Sequence, residues 1–156
     1  MKTKITTEKA LNAYRIISGA KYTKMDDADK IKVWKIARAL KPVADKFEDD
    51  SKDAADKMKP SEDFADNLQK AQEFERITKE KDFDASKLPM GVAEYNEFIK
   101  KFQDYNRLVG EAVKEFAEKE VVVEFEPLSE ESFGKLMASN EWTMEQTVEI
   151  GMLIVG

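Results

Sequence analysis

The chain has no cysteine and no histidine. Without cysteine it can form no disulfide, no thiolate metal site and no cysteine nucleophile. Without histidine it lacks the commonest general base and the commonest metal ligand. Zinc sites, Ser-His-Asp triads, haem on a proximal histidine and histidine-containing di-iron bundles are therefore out of reach. Six glycines are scattered and build no phosphate-cradling loop. No run of about 18 apolar residues occurs, so no membrane span is expected. Lys2 and Lys4 lead into a mixed polar stretch without the apolar core of a secretory signal. The expectation is a cytoplasmic chain that is not secreted, binds no cofactor and is not an enzyme.

What the chain does have is charge and helical patterning. Its 156 residues are 42% hydrophobic, enough for a core, and 37% charged, well above the usual ~25%. The charge is uneven. Residues 1–46 carry 12 Lys/Arg against 5 Asp/Glu, whereas residues 47–156 carry 14 against 27. Basic early helices packed on acidic later ones would account for this within one domain. A basic surface from Lys30, Lys32, Lys35, Arg38 and Lys41, facing nucleic acid or an acidic partner, is the sharper alternative. The overall net charge of −6 works against nucleic-acid affinity.

Two stretches carry apolar residues alternately three and four apart. Val92, Tyr95, Ile99, Phe102, Asn106, Val109, Val113 and Phe116 form one; Val33, Ala37, Leu40, Ala44, Phe47, Ser51, Ala54 and Met58 form the other. That spacing predicts long helices packed at shallow angles. The predicted helices run from about Thr7 to Lys21, from an Asp26 cap to Lys59, from a Ser61 cap to about Lys81, and from Val92 to about Lys119. Pro42 lies inside the second, whose stripe keeps phase across it, which favours one bent helix over two. Asn106 is the strongly polar residue in the fourth helix's seam, where it would set register or bond to nearby backbone. Asp82–Gly91 is expected to be a loop.

At Val121–Phe125, β-branched and aromatic residues alternate with glutamate, which predicts a strand. A lone strand is not stable, so Val121, Val123 and Phe125 must pair with another segment, a second copy or a partner. Ser129 can then cap a short helix. Thr143 with Gln146 forms a capping-box pattern for a last helix carrying Met144, Val148, Met152 and Val155, although Gly151 and the apolar run after it leave room for a strand. The predicted fold is mainly α: an elongated antiparallel bundle over 1–119, with a small cap over 120–156 holding one or two strands, all in one domain.

The order from the fourth helix onward is distinctive: Glu118-Lys119-Glu120, the strand, Leu128-Ser129, a short helix, Trp142-Thr143, and the closing Thr147–Ile154. With Ala13-Tyr14 in the first helix and the Lys-, Ile- and Ala-rich segment Lys30–Leu40, this pattern resembles a small uncharacterised family encoded by tailed phages and prophages. Asp50–Asp84 and Pro42 depart from it. The resemblance implies a phage accessory or assembly protein, cytoplasmic in the host or virion-associated, and brings no catalytic residues.

Asp49-Asp50-Ser51-Lys52-Asp53 begins like a calcium loop, but Ala54 stands where glycine is needed and Pro60 where a bidentate glutamate is needed. Glu94 with Glu97, and Glu115 with Glu118, have the spacing of helical carboxylate ligands without the histidines that complete such a motif. Trp34 lies one residue off the helix stripe and adjoins the basic face, so it is a better candidate for a partner contact than Trp142. The expected interaction surface is Lys30, Lys32, Trp34, Lys35 and Arg38, with the strand residues Val121, Val123 and Phe125. The functional expectation is protein–protein interaction or self-association in phage assembly. The alternatives are a regulator or inhibitor of a host protein and a nucleic-acid binder.

Overall fold

The computed structural model describes residues 1–156 and is mostly helical, with one small antiparallel sheet. In chain order it has β1 (Lys2–Thr6), α1 (Thr7–Ser18), α2 (Asp27–Lys57), α3 (Phe64–Thr78), α4 (Val92–Glu118), β2 (Glu120–Glu124), α5 (Glu130–Ala138) and α6 (Met144–Ile154). The chain divides into two compact units. Met1–Asp50 with Glu115–Gly156 forms the first, and Ser51–Lys114 the second. This partition runs through α2 and α4.

Local chemistry sets most helix ends. The Thr6 hydroxyl accepts from Lys9 N to start α1, and Ser129 accepts from Ser132 N to start α5. Thr143 and Gln146 close a full capping box at α6, so this segment is a helix, not a strand. α2 continues through Pro42, which is exposed. On the solvent side, water can satisfy the Arg38 carbonyl that the proline leaves without a donor.

The partner of β2 is β1, a strand that the lysine-rich start of the chain conceals. The ladder pairs Lys2 with Glu124 through to Thr6 with Glu120. It continues where Met1 and Phe125 exchange backbone bonds of 3.0 and 3.3 Å. Thr7 locks the junction by donating from both N and Oγ1 to the Lys119 carbonyl at 2.8 Å. Pairing is thus satisfied inside the chain, and it closes a loop of more than a hundred residues.

The core of the first unit collects Ile17 of α1, Val33, Ile36 and Leu40 of α2, Val123 and Phe125 around β2, Leu128, Leu136 of α5, and Ile150 and Ile154 of α6. Burying side chains of this size stabilises the fold by roughly 1.5–3 kcal/mol each. α6 contributes Ile150 and Ile154, not the Met144, Val148 and Met152 positions that its period also allows. α6 packs on α1, and glycine at 151 leaves room for the Phe133 ring of α5, which a Cβ there would meet at 3.1 Å.

The second unit is held by aromatic side chains. Phe64 lies 5.6 Å from Phe98 and 4.7 Å from Tyr105, ring centre to ring centre, and Phe74 stacks on Tyr95 at 4.2 Å. The face of α4 in this cluster is Tyr95, Phe98, Ile99, Phe102 and Tyr105. Asn106 is exposed, so it is not the polar member of a packed seam. Phe98, outside the 3-4 stripe, takes the buried position. A straight helix advances 3.6 residues per turn, so the 3.5-residue stripe drifts around it, and the aromatic cluster selects the face one position earlier.

Candidate interaction surface

The first three turns of α2 have two faces. Val33, Ile36 and Leu40 point into the core, while Lys30, Ile31, Lys32, Trp34, Lys35 and Arg38 are exposed. Five of those six were legible in the sequence. Ile31 was not singled out, although it stands three residues before Trp34 and therefore beside it on the helix. Trp34 is 56% exposed and Ile31 53%. The Arg38 guanidinium carbon lies 4.7 Å from the centre of the Trp34 ring system. A cation over the indole face restrains the ring and leaves its other side to solvent. Lys41 and Lys46 further along the helix are already paired, with Asp45 and Asp50.

The start of α2 is fixed independently of this face. Asp26 Oδ1 accepts from Asp29 N at 2.8 Å. The Asp29 carboxylate turns inward and accepts from Ser132 Oγ at 2.6 Å and Lys135 Nζ at 3.1 Å. These bonds, that of Ser132 first, hold the Asp29 carboxyl below the usual range, and the same contact raises Lys135. Asp29 therefore does not interrupt the basic surface. It anchors that surface to α5.

The strand half of the expected surface is corrected. Val123 and Phe125 are buried in the core and Val121 is half-buried against it. β1 supplies the hydrogen bonds that a partner strand would have supplied. Of the strand's apolar residues, Val122 is the one that faces solvent.

The other sequence candidates have definite places. Asp49, Asp50 and Asp53 lie within helix α2, which projects successive side chains in different directions instead of wrapping them around an ion. Glu97 pairs with Lys101 at 3.4 Å. Both line a cleft of about 280 Å³ with Asp63, Glu94, Phe64 and Phe98. In that cleft Ser61 Oγ donates to Asp63 at 2.5 Å and holds its carboxyl low, which makes it a weak base. No group of three or more acidic side chains is placed to hold a metal ion, and no helix is long and apolar enough to cross a membrane.

A second exposed apolar surface lies on α6, where Met144, Val148 and Met152 stand four residues apart. The signal in the sequence was that apolar residues fall on two sides of this helix. One helix face cannot bury that many positions. No protein family, curated protein or solved structure matches the chain.

Proposed function

We propose that this chain is a non-enzymatic protein–protein interaction module of phage type, with an assembly or accessory role, and that the Trp34 face of α2 is its contact surface. The observation that carries the contact surface is a more than half-exposed tryptophan, restrained by Arg38 and bordered by Ile31 and lysines. Tryptophan and arginine are the residues most enriched among those that dominate binding energy at interfaces. A large indole left in water, with its orientation already restricted by a neighbour, loses little further freedom on docking. The phage assignment rests on the sequence pattern of the C-terminal third and of Lys30–Leu40.

Nucleic-acid binding is the weaker reading of the same face. The apolar pair Ile31 and Trp34 occupies its centre, and Arg38 is engaged with the ring. The chain's net charge of −6 opposes the polyanion.

The test is affinity capture of the tagged protein from a prophage-induced host, with and without nuclease, alongside Trp34→Ala/Arg38→Ala. Nuclease-resistant recovery of phage head or tail proteins that disappears in the double variant supports the proposal. Recovery indifferent to the double variant, capture of a single host protein, or loss of every partner on nuclease treatment contradicts it.

A further inference from the structure

We infer that one occupant of the Trp34 face is helix α6 of a second copy of this chain, joined head to tail; this rests on the contact surface proposed above and names a partner for it. Met144 is 76% exposed, Val148 50% and Met152 83%. Spaced at i, i+4 and i+8, they form one ridge on the side of α6 away from the buried Ile150 and Ile154. Methionines at two of the three positions suit a contact that must adapt to a flat indole and its aliphatic neighbour.

Charge identifies the occupant. From Leu136 to Gly156 the chain has no lysine or arginine, and its charged side chains are Glu141, Glu145 and Glu149, all exposed. From Lys30 to Lys41 it has no acidic residue, and Lys30, Lys32, Lys35 and Arg38 border Ile31 and Trp34. One face is an apolar ridge rimmed by glutamates; the other is an apolar patch bordered by four cations, with the exposed Asp27 one turn before Ile31. Each would repel its own copy, which disfavours symmetric α6–α6 and α2–α2 dimers, and each complements the other. Both are exposed in the same chain, so neither covers the other. The contact is therefore between chains and heterologous, and it generates a ring or an open filament according to whether the rotation closes.

Two or three apolar side chains on each side fall short of the roughly 1,600 Å² buried in a standard interface. Association is therefore weak, and the charged rim makes it salt-sensitive. Trp34→Ala should weaken it by about 30-fold, the loss expected of a hot-spot tryptophan.

Sedimentation velocity over a concentration series, at low and high salt, tests the inference on the full chain. Wild type should self-associate at high concentration and dissociate as salt rises. Trp34→Asp leaves only the α6 face usable, and Val148→Asp/Met152→Asp leaves only the α2 face. Each variant alone should be monomeric, and an equimolar mixture should give a 1:1 dimer that grows no further. All the substituted side chains are exposed, and circular dichroism checks that both variants are folded. If wild type stays monomeric throughout, or if either variant still self-associates, the inference is overturned. The capture experiment then separates the two ideas. Partner capture that still depends on Trp34 and Arg38 leaves the contact surface standing, and loss of that dependence removes both.

Discussion

Asp29, in the first turn of α2, and Ser132, in the first turn of α5, lie 103 positions apart and meet through a 2.6 Å hydrogen bond in the interior. Lys135 completes the arrangement from one turn further along α5, at 3.1 Å from the same carboxylate. The basic, tryptophan-bearing turns of α2 follow directly, so this buried contact sets where the proposed surface starts.

The pair predicts a pH signature. Asp29 has a lowered carboxyl pKa, so its contribution is complete above the unfolded value near 3.9 and is lost as pH falls through the folded value. Lys135 is raised, so its contribution is complete below the unfolded value near 10.4 and is lost as pH rises through the folded one. The melting temperature of wild type minus that of Asp29→Asn should therefore be greatest and flat between about pH 5 and 9, and shrink on both sides. Thermal melts across pH measure it. A difference independent of pH would show that the contact carries no charge-dependent stability.

Neighbouring strand residues should behave oppositely. Val123 is buried and Val122 is 63% exposed. Val123→Lys should unfold the first unit by placing an unpaired ammonium in its core, whereas Val122→Lys should change stability by no more than about 0.5 kcal/mol. Chemical denaturation followed by circular dichroism tests both. A folded monomer from Val123→Lys would instead favour the strand as an intermolecular contact.

One buried polar atom is without a partner: the Ser51 hydroxyl within α2. An unsatisfied buried group costs about 1–3 kcal/mol, and alanine is also the better helix former. Ser51→Ala should therefore stabilise the chain by about 1 kcal/mol, read as a higher midpoint in urea. A lower midpoint would mean the hydroxyl is hydrogen-bonded in solution.

These contrasts show what the sequence could and could not disclose. The caps at Ser129 and Thr143–Gln146 were legible because their donors and acceptors lie within four residues. α2 was legible because its stripe keeps phase through Pro42. The first strand was hidden: Lys2-Thr3-Lys4-Ile5 offers only a short polar alternation, and its partner Val121–Glu124 lies at the other end of the chain. The inward turn of Asp29 was not legible because its partners are more than a hundred residues away. On α6 the period allowed two apolar faces, and packing against α1 and the shared core selected Ile150 and Ile154 for the interior. Trp34 was legible as exposed because it stands among Lys30, Lys32, Lys35 and Arg38, whereas Phe98, also one step off an apolar stripe, is buried.

Whether Trp34 is a contact residue can be read from its own fluorescence. The chain has two tryptophans. Trp142 is half-buried against Phe133 with ring centres 6.5 Å apart, so Trp142→Phe keeps an aromatic there and isolates Trp34 as the reporter. Acrylamide quenching of this variant at low and high protein concentration, repeated at high salt, is the measurement. Docking through Trp34 should give a freely quenched indole when dilute, marked protection with a blue-shifted emission when concentrated, and loss of that protection in salt. An indole that is equally accessible at every concentration and salt level, and unprotected by any protein captured from the induced host, would contradict it.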